Sequence, residues 1–336
     1  MQMDTLRNIP IVKKIGFNKI VLCLVMAVMY GMFANLSESF VNYNRIISAL
    51  NYAYFLGFLA LGVTFVIGTG GIDFSIGPVM FCCAIVSGQI LAKNNLPVWF
   101  CMILAVLIGV VFGCFNGFMV AYCKVPPFII SMASMQIAKG AASVFTKTQT
   151  VKWPMATDKV NGWYRNLVKY RLVGDTPRDV TIIPTGLICL LIVAVICAIV
   201  LNKTKTGRYI LCLGSNKEAV RLSGVNVKKY EMLAYVICGI LVGIAAIFFV
   251  GAYTTVQPGM GDQYNNEAIA AAVMGGTSMA GGIASIGGTI IGVMIIALLQ
   301  EGILAIGLTK DYQLVVTGLI VIVAVAIDII SRRKKN

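Results

Sequence analysis

The sequence predicts an all-α, polytopic membrane protein with about ten transmembrane helices, and three observations carry that prediction. Of 336 residues, 59% are hydrophobic and 12% charged, with a mean hydropathy of +0.88, outside the range of soluble globular domains. Apolar runs of about 20 residues, the length that crosses a hydrocarbon core of about 30 Å as a helix, recur along the whole chain. Basic residues outnumber acidic ones by 27 to 13, for a net charge of +14. They gather between the apolar runs, which reads as membrane topology and argues against nucleic acid as a partner.

Taken in order, the expected spans fall near 20–36, 46–67, 76–92, 98–122, 127–146, 181–202, 231–252, 267–280, 285–306 and 312–331. The first follows Arg7, Lys13, Lys14 and Lys19 with no small-x-small cleavage site behind it, so an uncleaved helix is expected rather than a signal peptide. The shortest, 267–280, reads as a broken or re-entrant segment, a form tolerated where protein or a cavity shields the freed backbone groups. Lys203, Lys205, Arg208, Lys217, Arg221, Lys228 and Lys229 crowd one connection, and Arg332, Arg333, Lys334 and Lys335 end the chain. Segments 1–19, 203–229 and 332–336 are therefore expected in the cytoplasm. The connection 147–180 is also basic, but Asp158, Asp175 and Asp179 dilute its charge. One span separates it from 203–229, so it is placed outside the cell. Five spans precede it and five follow, so any two-fold internal resemblance would be of inverted topology within a single membrane domain, 1–336.

There is no His, and the ten cysteines show no metal-ligand spacing. Most, including Cys23, Cys82, Cys83, Cys101 and Cys238, lie within apolar runs and read as small packing residues. No metal site is expected.

Two glycine-rich stretches interrupt the apolar pattern. In GTGGIDFSIG, residues 68–77, Gly70 and Gly71 permit a helix break, and Asp73 and Ser75 alternate with Ile72 and Phe74. An unpaired Asp at the bilayer centre costs about 2.5–3.5 kcal/mol, so Asp73 must face a cavity, a donor-rich backbone or the interface. It is read either as an acceptor lining a path for a polar solute or as the cap of the next helix in a tight turn. The second stretch, residues 268–292, is built from Gly, Ala, Ser and Thr and reads as close helix packing. Gly275, Gly276, Gly281, Gly282, Gly287 and Gly288 are its packing or gate candidates. A short echo links the two stretches, Gly70-Gly71-Ile72 with Ser75-Ile76-Gly77 and Gly281-Gly282-Ile283 with Ser285-Ile286-Gly287. It does not fall at equivalent positions of a five-plus-five repeat. Glu301, beside Gln300, is a further candidate for a solute path, and Lys139 is a candidate partner for it.

Nothing matches G-x-x-x-x-G-K-[ST], so the chain brings no phosphate-binding loop of its own. Without His, the usual Ser/His and Cys/His sets are excluded, and no enzymatic site is expected.

The basic connection reads GRYILCLGSNKEAVRLSGVNVKKYEMLAYVICGILVGIAA over residues 207–246. With TGGIDFSIG and NEAIAAAVMGGTSMAGGIASIGGTIIG, it closely resembles the permease subunits of ribose- and galactose-type ABC importers. The resemblance implies a multi-pass subunit of a prokaryotic cell membrane, surrounded by lipid, that translocates a small polar solute such as a monosaccharide. It implies a permease homodimer or heterodimer, an ATPase subunit on the cytoplasmic face that binds the ATP, and an extracytoplasmic solute-binding protein. Gly214, Asn216, Glu218, Ala219 and Gly224 match the family's ATPase-coupling segment. Phe74, Glu267, Ile283-Ala284 and Gln300-Glu301-Gly302 depart from the family's usual residues. Relatives with nucleoside or branched-chain amino acid cargo share the glycine-rich scaffold, and an ion-coupled carrier using Asp73, Glu267 or Glu301 is the rival reading from the residues alone.

Overall fold

A helix that is apolar on every face can fill the middle of a bundle. That describes α2 (Tyr43–Gly68), which is buried without interruption from Tyr52 to Gly68. The computed structural model describes residues 17–94, 96–173 and 180–333. Around α2 stand α1 (Phe17–Leu36), α3 (Ile76–Asn94), α4 (Val98–Ala121), α5 (Pro127–Thr146) and α6 (Thr185–Lys203). Two short helices follow, α7 (Lys205–Ser215) and α8 (Lys217–Leu222), then α9 (Val227–Tyr253), α10 (Asp262–Met274), α11 (Ile286–Ala305) and α12 (Lys310–Arg333). The chain is an all-α, multi-pass membrane protein. Among the described residues eight helices are long and apolar enough to cross a membrane, namely α1 to α6, α9 and α11.

The expected short span is indeed short. With 13 residues and about 1.5 Å of rise per residue, α10 reaches only about 20 Å, and its chain continues through the non-helical stretch 275–285 into α11. The sixth span begins later than expected, because residues 180–183 form a strand and the helix starts at Thr185. Of the basic ends, residues 1–16 and 334–336 lie outside the described residues.

α9 packs against both α2 and α4, and the α4–α9 contact is made backbone to backbone. Gly109 and Gly113 of α4 meet Gly239 of α9, while Gly243 rests on Val106. A Cβ on Gly239 would stand 2.3 Å from the Gly109 carbonyl oxygen. In lipid, where helices gain little from burying apolar surface against one another, this closeness is what holds them together. The outward faces of α4 and α6, with Leu107, Val111, Ile192 and Val195, remain exposed, as a lipid-facing surface requires. Cys82, Cys83, Cys101, Cys197 and Cys238 are buried as expected of packing residues, whereas Cys23 is exposed on α1.

The connection after α5 is a folded cap. Its β1 (Val151–Lys152) pairs antiparallel with β4 (Thr255–Val256), just after α9. β2 (Tyr170–Val173) pairs with β3 (Val180–Ile183); residues 174–179 of this connection lie outside the described residues. Trp153 drops its indole N–H onto the Ala84 carbonyl of α3 at 2.9 Å, in space left by Gly88. Tyr164 is fully buried against the end of α9.

Gly239→Ala should lower thermal stability in detergent by about 1–3 kcal/mol, the cost of overpacking a close contact. Gly140→Ala, with open space where its Cβ would go, should be neutral or slightly stabilising. Equal melting temperatures for the two variants would contradict the packing described.

Candidate functional site

At the cap end of the bundle lies a cavity of about 1030 Å³. The first turns of α2 give it Ser48, Asn51 and Tyr52, and the end of α9 gives Phe249 and Tyr253. The start of α10 adds Asp262, Tyr264 and Asn266, and the end of α11 adds Gln300 and Glu301. Its mouth is formed by the exposed loop residues Gln257, Gly259 and Met260.

The floor is aromatic. The Tyr264 ring lies 6.0 Å from Tyr52, 5.0 Å from Phe55, 5.9 Å from Phe81 and 6.1 Å from Phe249, centroid to centroid. Such edge-to-face, tilted and stacked contacts pack these large side chains against one another on this side of the cavity. Beside them, Glu267 is buried at 2% exposure. It accepts from the Tyr52 hydroxyl and, at 3.1 Å, from the Gln313 amide, which also reaches Gln300 at 3.4 Å. These donors make a buried carboxylate tolerable at this depth.

The suggested pairing of Lys139 with Glu301 does not occur. Lys139 pairs with Asp262, and Glu301 pairs with Arg45 at 3.4 Å. The reason is geometric: Lys139 on α5 faces the start of α10, while Arg45 lies at the start of α2 against the end of α11.

Asp73 stands elsewhere, in the break between α2 and α3. At 4% exposure, one of its oxygens accepts from the Ser75 amide at 2.8 Å and the Ser75 hydroxyl at 2.6 Å. The other accepts from the Asn116 amide of α4 at 3.4 Å, and Asn116 in turn accepts from Ser134 of α5. The carboxylate thus meets donors from its own turn and a neighbouring helix. Neither Asp73, Ser75, Gly70 nor Gly71 is among the cavity's lining residues. Of the sequence candidates for a solute path, Glu301 alone lines this cavity. The others gather about 24 Å further along α2, counting 1.5 Å for each residue from Tyr52 to Gly68.

At that far end three stretches of bare backbone meet. The Gly282 amide donates to the Gly68 carbonyl at 3.0 Å. A Cβ on Gly214 would stand 2.2 Å from the Gly68 oxygen and 2.3 Å from the Gly282 nitrogen, and one on Gly281 would stand 2.6 Å from the Gly70 nitrogen. Gly70, Gly281 and Gly282 all hold positive φ, at 82°, 80° and 80°, a region that side chains disfavour. The echo between the two glycine stretches therefore marks the places where they touch, with the end of α7 wedged between them. Gly275 lies against Gly288 within the α10–α11 pair, whereas Gly276 has open space on its Cβ side and Gly287 lies near Lys19.

The residues after Gly214 form a small capped peg. Asn216 accepts from the Ala219 amide at 2.9 Å and so starts α8. Lys217 reaches both oxygens of Glu231 on α9, at 2.6 and 2.8 Å. Glu218 remains exposed, and Arg221 beside it holds its carboxyl below the usual carboxylate range. Gly224 closes the turn after α8. The α4–α9 glycines were missed in the sequence, although their spacing of four, Gly109-Gly113-Gly117 and Gly239-Gly243, was there to find.

The family described as branched-chain amino acid transport system / permease component matches residues 45–325. The chain is 32% identical over 307 residues to the ribose import permease protein RbsC of Escherichia coli (strain K12), covering 91% of this chain and 92% of that protein. The ribose import permease protein RbsC of Bacillus subtilis (strain 168) is 33% identical over 306 residues, covering 90% and 88%. The fructose import permease protein FrcC of Rhizobium meliloti is 30% identical over 274 residues, covering 81% and 74%. No solved structure matches the chain.

Asp73→Ala leaves the Ser75 and Asn116 donors without their acceptor, and a loss of about 1–3 kcal/mol of stability is expected, read by thermal unfolding in detergent. Tyr52→Phe should cost a similar amount by removing a donor from Glu267. An unchanged melting temperature in either variant would contradict the corresponding network.

Proposed function

We propose, for a chain that belongs to the family of branched-chain amino acid transport system / permease components, that it is the membrane-spanning permease subunit of an ATP-driven monosaccharide importer. One observation carries the reading: similarity to ribose and fructose import permeases extends along most of the chain. The cavity supports it. Its hydroxyl, amide and carboxylate groups are matched to a solute that offers hydroxyls, and its ring-lined floor is matched to an uncharged body.

On this reading, ATP is bound by a partner subunit that docks on the exposed peg at Asn216, Glu218 and Ala219 from the cytoplasm. A solute-binding protein delivers cargo to the cap at the opposite face, and a second permease subunit completes the passage. Both termini are cytoplasmic and 147–180 is extracytoplasmic. The permease itself breaks no bond. Because the peg is continuous with Gly214, a push on it moves the two glycine breaks together. Gly70, Gly71, Asp73 and Ser75 then act at the inner exit of the path, Glu301 at its outer entrance, and the Gly275–Gly288 contact is the pivot between α10 and α11.

The test is reconstitution in proteoliposomes with an ATPase subunit and a solute-binding protein as partners. Uptake of labelled ribose should require ATP and both partners, and fructose rather than leucine should compete. Uptake that persists without the ATPase and collapses with an uncoupler would overturn the proposal, and competition by leucine alone would move the cargo to a branched-chain amino acid. Glu218→Lys should insert normally yet lower ATP-driven uptake roughly tenfold, the scale of one charge-assisted contact. Normal uptake in that variant removes the peg from the coupling path.

A further inference from the structure

Glu301 belongs to none of the motifs that carry the family resemblance, yet it lines the cavity and pairs with Arg45 on the wall of a second, smaller one. That second cavity, about 140 Å³, is apolar and lined by Met26, Tyr30, Met294 and Leu298, with Arg45 on its wall. The Arg45–Glu301 pair therefore joins the two walls: Glu301 lines the large cavity, and Arg45 lines the small one but not the large. The same division occurs across the mouth, where Asp262 lines the large cavity and its partner Lys139 does not. Among the described residues, the lining holds two carboxylates and no Lys or Arg. A third carboxylate, Glu267, lies beside the floor.

Basic groups at the same end are turned to other work. Arg165 and Lys169 donate to the Gly251 and Ala252 carbonyls at 3.2 and 3.3 Å. Each ion pair turns its carboxylate, the negative end, toward the cavity, and the cavity wall focuses that field on whatever enters. A hydroxylated, uncharged solute donates hydrogen bonds to Glu301, Asp262 and the Gln300 carbonyl, whereas an anion sheds water only to meet like charge.

We propose that Glu301 and Asp262 make this cavity a charge filter, which admits uncharged or cationic hydroxylated solutes and excludes anionic ones such as sugar acids and sugar phosphates. The proposal rests on the reading of the cavity as the solute path. Its test does not require transport. In the full chain in membrane vesicles, Asn266→Cys places a thiol on the cavity wall. Its rate of modification is measured with methanethiosulfonates bearing a sulfonate or a trimethylammonium group, normalised to a free thiol and corrected for the parent chain's own cysteines. At low salt the cationic reagent should react about tenfold faster, within the range such focused fields produce. The ratio should fall toward one at about 1 M salt, where screening shortens to about 3 Å, and also in Glu301→Gln with Asp262→Asn. A ratio of one at low salt, or one favouring the anion, overturns the filter, as does a ratio indifferent to both salt and the substitutions. Because the salt series needs no substitution at either carboxylate, a misfolded variant does not blunt the test. A ratio of one with ribose uptake intact sinks the filter alone; a tenfold ratio without uptake sinks the transport reading alone.

Discussion

Within a membrane every peptide group needs a partner from the protein itself, and a chain that interrupts its helices must find those partners away from the helical ladder. The Gly68 carbonyl, left over where α2 ends, finds the Gly282 amide from the other break. That hydrogen bond forms because Gly214, Gly281 and Gly282 bring no side chain between the strands of backbone. The three segments come from positions in the sequence as distant as 68, 214 and 282. None of them can shift without disturbing the other two.

The central helix gives this junction its reach. α2 carries Gly68 at one end and Ser48, Asn51 and Tyr52 at the other, where they line the cavity. Its buried length, packed against α9 and α11, leaves little room for it to bend independently of its neighbours. One buried helix thus runs from the glycine junction to the aromatic rings around Tyr264. Chemistry is divided along the same axis, with bare backbone at one end and side-chain acceptors at the other.

Much of this was legible in the residues. Apolar runs of the right length gave most helices, and the 13-residue α10, Asp262–Met274, overlaps the span 267–280 expected to be short, beginning and ending earlier than expected. Asp73 was recognised as needing donors, and Ser75 and Asn116 supply them. Side-chain partnerships across the bundle were not legible, because sequence spacing does not say which helices face each other. Lys139 was therefore offered to Glu301 when it belongs to Asp262. Repetition of Gly-Gly-Ile was visible, but it pointed to contact between two stretches rather than to equivalent places in a repeat. The cap was hidden for a different reason. Its strands are two to four residues long, too short for alternation to register as a pattern.

The cap also has a mechanical meaning. Through Trp153 it grips the middle of α3, and through the Val151–Val256 pair it holds the chain that leaves α9. Two rods are thus fastened to one small plate on the surface. If they slide past one another, the plate must tilt, so this face of the molecule displays, to anything resting on it, the relative position of helices that run away from it through the bundle.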